Sequence, residues 1–451
     1  MCSSLNNDII NLSKSSRVAF FLLLVLTFGL TLFLSTQGLI AALVLMPLML
    51  IYYGNSLIFL VAPILIITVM LFKNFIYHLS FVAIEYGFSF NFLTIFFGYD
   101  YILMLFFGGL ALIVSRAYRK RVVLIYLLII FSFILLGLIS IDVVSVAAYS
   151  RFYLMPLFAI CLGLLFFKYG TSKYITYIIF LLIIYVFIES TPGFYDLIQV
   201  DKYLELKYHG RDIVSQDYLH KMGMTINGVR VERILGPQMH PISVGYVLLF
   251  LYVYTFTFKS WLFYLITPFI WMALFLSSKG ALTAGMLIFG LFFCYDFFRS
   301  RLLMVYLLFS TYTVAMLAIS LIPSLTSGYE HMLGLIGGVL NLISNPLGSG
   351  IGVGGTMSSL KGTENGGESG FGVIITHMGI IGACGYFFIL YQLLVLLKLP
   401  SKELYAFAAY CIVILINGLL QEEALLPSAA FLGWFMLSYS YAKSIKRKIN
   451  S

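Results

Sequence analysis

The chain has 451 residues, 61% of them hydrophobic and 10% charged, with a mean hydropathy of +1.02. So little polar surface cannot coat a soluble globule of this size, which excludes a water-soluble enzyme or binding module. The net charge of +9 follows a membrane topology and does not argue for a nucleic-acid surface.

Runs of roughly 17 to 25 apolar residues recur along the chain, whereas alternating ten-residue strands do not, so helices must satisfy the backbone within the bilayer. The expected fold class is all-α: a polytopic integral membrane protein with about 14 transmembrane helices and two large external, periplasmic loops. The start Met1 to Lys14 is polar and no small-residue cleavage pattern follows the first apolar run, so 18–35 reads as a retained span. Spans over 18–35, 39–53, 57–72, 101–115, 122–140, 152–167 and 174–188 make up an N-terminal transmembrane unit, 1–189. A large loop, 190–240, follows, then spans over 241–258, 261–277, 281–298 and 302–322 in the unit 241–322. A Gly-rich loop, 323–370, precedes the last unit, 371–451, with spans over 371–397, 404–420 and 428–442 and a basic cytoplasmic tail. Segment 74–99, with His78 and Glu85 among aromatics, reads as a re-entrant pair, an interfacial helix or an extra crossing. The extra crossing is disfavoured because it turns Lys14 and Arg17 outward.

Both termini then share a face that collects 17 of the 27 basic residues and 3 of the 18 acidic ones, about +14; the other face holds the remaining 10 and 15, about −5. The positive-inside rule makes the termini cytoplasmic. Long polar loops lie on the external face only, which points to chemistry or recognition there.

In the first large loop, Arg230 and Arg233 precede Gly236-Pro237-Gln238-Met239-His240-Pro241, where the chain re-enters the membrane. Guanidinium groups fork onto phosphate oxygens, which suits a phosphorylated lipid head; the bland alternative is that they snorkel or pair with Glu232. Lys279, at the external end of a span, reads as a second phosphate contact or as an interfacial anchor. His240 reads as a substrate contact or as a cap before Pro241. Glu368, next to Ser369, opens a span just behind the glycine run Gly348 to Gly355, and a partly buried carboxylate there suits general-base work. His377 lies nine residues on, about half a turn round the helix, and so is not its direct partner. Glu422 and Glu423 form a turn pair that is either solvated or binds a sugar hydroxyl. Cys2, Cys161, Cys294, Cys384 and Cys411 have no metal-ligand spacing and read as packing residues. No Asp-x-Asp, no paired His/Cys set and no Walker loop stands in the chain, so neither a metal nor another cofactor is expected.

Three stretches together carry a family resemblance. Arg233-Ile234-Leu235-Gly236-Pro237 is similar to an Arg-x-x-Gly followed shortly by Pro, Ser278-Lys279-Gly280-Ala281 is similar to Ser-Arg-Gly-Ala, and Gly348-Ser349-Gly350-Ile351-Gly352 leads to Glu368. In order and in shared external side they resemble the O-antigen polymerases and ligases of bacterial surface polysaccharide assembly. Glu368-Ser369 stands eleven residues before Gly379, where ligases carry His-Asn, and that departure resembles the polymerase branch. Lys279 departs from the family Arg, and nothing in 1–190 corresponds.

The resemblance implies polymerisation of undecaprenyl-diphosphate-linked oligosaccharide repeat units into O-antigen or a related surface polysaccharide. It implies a metal-independent membrane glycosyltransferase in the bacterial inner membrane, acting on the periplasmic face. Glu368 and Arg233 would be catalytic, Arg230, Arg233 and Lys279 would bind diphosphate, and His240, Ser369, Glu422 and Glu423 are candidate substrate contacts. The partners implied are the lipid-linked glycan donor and acceptor, the lipid bilayer and a chain-length regulator protein. The alternatives are a lipid-linked oligosaccharide flippase, expected to carry its charge in a central cavity, and an O-antigen ligase, which would need the His that Glu368 replaces.

Overall fold

The computed structural model describes residues 63–64, 66–68, 70–72, 75, 99–117, 120–169, 173–191, 194, 224–226, 229–231, 233–238, 240–258, 261–297, 301–322, 326–355 and 367–450. The first two expected spans, nearly all of segment 74–99 and most of loop 190–240 lie outside the described residues.

Helices α1 (Tyr99–Val114), α2 (Arg121–Ser140), α3 (Val143–Tyr169) and α4 (Lys173–Glu189) precede a small hairpin, β1 (Met224–Ile226) and β2 (Val229–Val231). The hairpin is antiparallel, with Thr225 opposite Arg230. Then come α5 (Pro241–Phe258), α6 (Trp261–Ser277), α7 (Lys279–Phe297), α8 (Arg301–Ser320), α9 (Thr326–Ser344), α10 (Gly370–Leu396), α11 (Lys402–Gly418), a 3-10 turn (Glu422–Leu425) and α12 (Pro427–Asn450). Apart from the hairpin, the described chain is helical, as the apolar runs predict. Helix α9 falls inside 323–370, which the sequence reads as loop.

Among the described residues, four helices are long and apolar enough to cross a membrane: Arg121–Ser140, Ser145–Lys168, Leu303–Ser320 and Gly370–Leu396. Their outer faces are strongly apolar and uncovered; in α2, Val122 is 73% and Ile139 84% exposed. Apolar exposure on this scale is untenable in water and ordinary against hydrocarbon, so this is a membrane protein.

The centre of the bundle is made by α5 and α11. Helix α11 is buried from Leu404 to Gly418 and α5 from Ser243 to Tyr254, so both are apolar all round instead of amphipathic. Tyrosines in this core need acceptors, and backbone carbonyls of neighbouring helices supply them. The Tyr410 hydroxyl donates to the Tyr246 carbonyl at 3.1 Å and the Tyr405 hydroxyl to Leu291 at 3.0 Å. Helix α12 runs along α3, where Gly163 lets the Phe435 carbonyl approach. At the far end of α12, Lys443 donates to both carboxylate oxygens of Glu403, at 2.7 and 2.9 Å.

Helix α10 is interrupted. Gly379 has φ 56° and ψ −139°, a conformation open essentially only to glycine. The groups exposed by the break are met by the chain just after α9: Ser349 N–H donates to Thr376 O at 2.9 Å, Gly350 N–H to His377 O at 3.0 Å, and Ile380 N–H to Pro346 O at 2.9 Å. The segment continues against α2, where Ile351 N–H donates to Phe133 O at 2.9 Å. Gly350, at φ 99°, has no room for a side chain, since a Cβ would sit 2.5 Å from the Gly137 nitrogen. The glycine run, expected as part of an external loop, is therefore packed against α2, α3 and α10, and Gly350 to Gly352 are buried. Irregular backbone is tolerated among membrane helices where protein satisfies it.

Candidate functional site at one end of the helix bundle

The first element of the site is the loop 233–238, which ends β2 and enters α5. Glu189, the last residue of α4 and only 4% exposed, holds this loop: its carboxylate accepts the Leu235 N–H at 2.8 Å and the Gly236 N–H at 2.8 and 3.0 Å. Carboxylate-to-amide bonds are among the stronger ones, so the half-buried Arg233 stands on a fixed turn. A bond from Ile234 N–H to Leu276 O, 3.3 Å, ties the same loop to the end of α6. Arg230 lies in β2.

The second element is the α6–α7 junction. Gly245 on α5 packs against Ser277, Ser278 and Ala281, so the junction and the start of α5 are in contact. Lys279 is exposed at the first position of α7. Its neighbour Gly280 gives its carbonyl to Asn417 Nδ2 at 3.2 Å and packs closely on the Gln421 side chain. Gln421 in turn accepts from the Tyr246 hydroxyl at 2.7 Å, Asn417 Nδ2 donates to that hydroxyl at 2.9 Å, and Tyr312 donates to Asn417 Oδ1 at 2.6 Å. This network joins α5, α7, α8 and α11.

The third element follows directly from Gln421. The Glu422 N–H donates to the Glu368 carbonyl at 2.8 Å, placing the 3-10 turn beside the start of α10. Glu422 is 8% exposed, and Glu423 Oε2 is buried with no hydrogen-bond partner among the described residues. Burial first, then the Glu422 and Glu368 carboxylates, push the Glu423 carboxyl up to about 7. Glu368 itself is 43% exposed and its Oε2 lies 3.1 Å from His331 Nδ1 on α9. Burial lowers the pKa of His331, against the pull of Glu368 and Glu330.

Several segments that carry sequence-expected residues thus adjoin. The Arg233 loop, the Lys279 junction and the Glu368 turn form a continuous series of contacts at one end of the bundle. Ser369 and His240 both make capping contacts within it. The Ser369 hydroxyl caps α10 by accepting from Gly372 N–H at 2.9 Å and donates to Leu419 O at 2.7 Å. His240 Nδ1 stands 3.3 Å from Ser243 N and 3.2 Å from its hydroxyl, which is the capping alternative. His377, fully buried, is separate from Glu368: Tyr153 Oη is 2.8 Å from its Nδ1, and Gly352 N–H donates to its Nε2 at 3.2 Å.

Glu189, His331, Tyr246, Asn417 and Gln421 are the site residues that sequence reasoning misses. Glu189, Tyr246 and Asn417 lie within or at the end of expected spans and read there as boundary or packing residues, Gln421 reads as a turn residue beside the glutamate pair, and His331 falls in a segment that reads as loop. Only Glu189 and His331, ionisable residues near the membrane plane, carried a signal that flags them. Among the described residues no three His, Cys, Asp or Glu side chains are grouped to hold a metal ion. No known family, no curated protein and no solved structure matches this chain.

Proposed function

We propose that the chain is a polymerase of undecaprenyl-diphosphate-linked repeat units, acting by metal-independent glycosyl transfer on the periplasmic face of a bacterial inner membrane. The single observation that carries the reading is the contact series just described. Three segments far apart in sequence, each with a charge suited to one part of the reaction, meet at one end of a lipid-facing bundle. The topology in this reading has about 14 spans, two large periplasmic loops and cytoplasmic termini. A chain-length regulator protein is a further partner of such an enzyme.

In this mechanism the sugar hydroxyl of a new lipid-linked unit gives its proton to the Glu368 carboxylate as its oxygen attacks the anomeric carbon of the growing chain. The bond from that carbon to the diphosphate breaks, and undecaprenyl diphosphate leaves with the electron pair. Diphosphate is a good leaving group and needs no general acid, but its developing charge needs fixed cations. Arg233 on its anchored turn, with Arg230 and Lys279, supplies them; Glu422 and Glu423 offer acceptors for sugar hydroxyls. Ser369 holds the turn that presents Glu368.

The break in α10 is the one observation that favours a flippase, since transporters bind at discontinuous helices. Here the Gly348–Gly350 segment occupies the groups around the break, which weighs against a substrate site there.

Glu368→Gln keeps shape but cannot accept a proton, so glycan extension should fall by about 10² to 10⁴ while the lipid-linked donor still binds. Arg233→Ala should abolish extension, and Arg233→Lys should restore little because the planar fork is lost. Normal turnover in Glu368→Gln at saturating donor sinks the base assignment.

A further inference from the structure

We propose that His331 is the positioning residue of Glu368, fixing one carboxylate oxygen so that the other faces the attacking hydroxyl. The inference rests on the base role given to Glu368 above. The pattern of α9 sets it up. His331, Gly334 and Gly338 are spaced by three and four residues and share one helical face. On that face both glycines meet backbone: a Cβ at Gly338 would lie 2.5 Å from Gly372 Cα, and one at Gly367 would lie 2.8 Å from Gly334 Cα. Two such contacts seat α9 closely against the start of α10, and the side chain one turn before Gly334 stands at the Glu368 turn.

There His331 is 6% exposed while Glu368 keeps an open side. The pair stands at 3.1 Å, with Nδ1 off the line of a good hydrogen bond. Catalytic contacts of this kind are often poorly aligned without substrate and tighten when it binds. The pair stands among acidic groups: Glu330 on α9 acts on His331, and Glu423 on the 3-10 turn feels both Glu422 and Glu368. His331 is the donor that the fold sets against this carboxylate. An imidazole N–H on Oε2 favours the charged form and stops the carboxylate from rotating.

The test is the pH dependence of the initial extension rate in proteoliposomes, using undecaprenyl-diphosphate-linked repeat units extracted from cells that lack this chain. Wild type is compared with His331→Gln, His331→Leu and His331→Ala. Removing the donor in the Leu and Ala variants should lower the rate at neutral pH about tenfold, the effect of one hydrogen bond to a charged group. It should also move the acidic limb of the profile upward by about one pH unit. His331→Gln, which keeps an N–H donor, should hold the limb in place and restore most of the rate. A merely structural histidine would change the amount of folded enzyme and leave the limb where it is; an unmoved limb in both Leu and Ala variants overturns the proposal. Glu368→Gln run in parallel separates the two failures. If it is inactive while the limb stays fixed, only the role of His331 falls; if it is fully active, the base role falls and this inference with it.

Discussion

Burial of Glu423, reinforced by the Glu422 and Glu368 carboxylates, pushes its carboxyl from the usual 4.5 up to about 7. Such a group is neutral in the folded chain where the unfolded chain is already ionised. Its contribution to stability is therefore full below about 4.5 and is lost as pH rises to about 7. Glu423→Gln removes the titration. In detergent, the thermal midpoint of the variant should change less with pH across that window than wild type and should exceed it above neutrality. Parallel curves for the two proteins would contradict the placement of Glu423. The sequence marks Glu422 and Glu423 as a turn pair, for which solvation is the ordinary state. They are drawn inward because the Glu422 amide bonds the Glu368 carbonyl, a contact between positions 54 residues apart that no local pattern encodes. Glu189 is hidden for the opposite reason: a glutamate ending an apolar run looks like a boundary charge, and its two amide partners lie in a distant loop.

Among the elements, α10 departs furthest from what its sequence predicts. An apolar run over 371–397 reads as one uninterrupted span, and Gly379 is one of four glycines in it, of a kind common enough in membrane helices to pass unnoticed. A Cβ at Gly379 would stand 2.1 Å from the Pro346 carbonyl oxygen at a positive φ, whereas one at Gly385 meets nothing within 4 Å. Gly379→Ala should therefore cost about 1–3 kcal/mol from backbone strain alone, and should reduce folded protein recovered in detergent. Gly385→Ala should be neutral or slightly stabilising. Equal recovery of the two variants would refute the interruption. The glycine run has a legible signal in retrospect, since Gly348, Gly350 and Gly352 alternate, as close backbone approach requires. Helix α9 escaped for its composition: Gly328, Gly334, Gly337 and Gly338 with Asn341 dilute its apolar pattern.

At the scale of the whole molecule, the described helices from α1 onward lie over the expected apolar runs, but α9 is additional, α3 starts nine residues before its run and α12 extends eight beyond its own. Orientation rests on the charge asymmetry alone. Cysteines introduced at Ser215 and Gly362, both outside the described residues, should react with an impermeant thiol reagent applied to the periplasmic side, and one at Ser444 should not. Labelling of all three from one side is incompatible with the topology. That the Arg233, Lys279 and Glu368 segments adjoin is legible only as an order of short motifs. Their meeting depends on Gly245, Asn417 and Gln421, whose contacts belong to the tertiary fold. The central claim is the reaction itself, and reconstitution tests it most directly: the purified chain in proteoliposomes, given undecaprenyl-diphosphate-linked repeat units and no metal, with the glycan products sized. A ladder of glycans longer than the input is the predicted result; glycans of unchanged length that have crossed the bilayer would contradict it and make the chain a flippase.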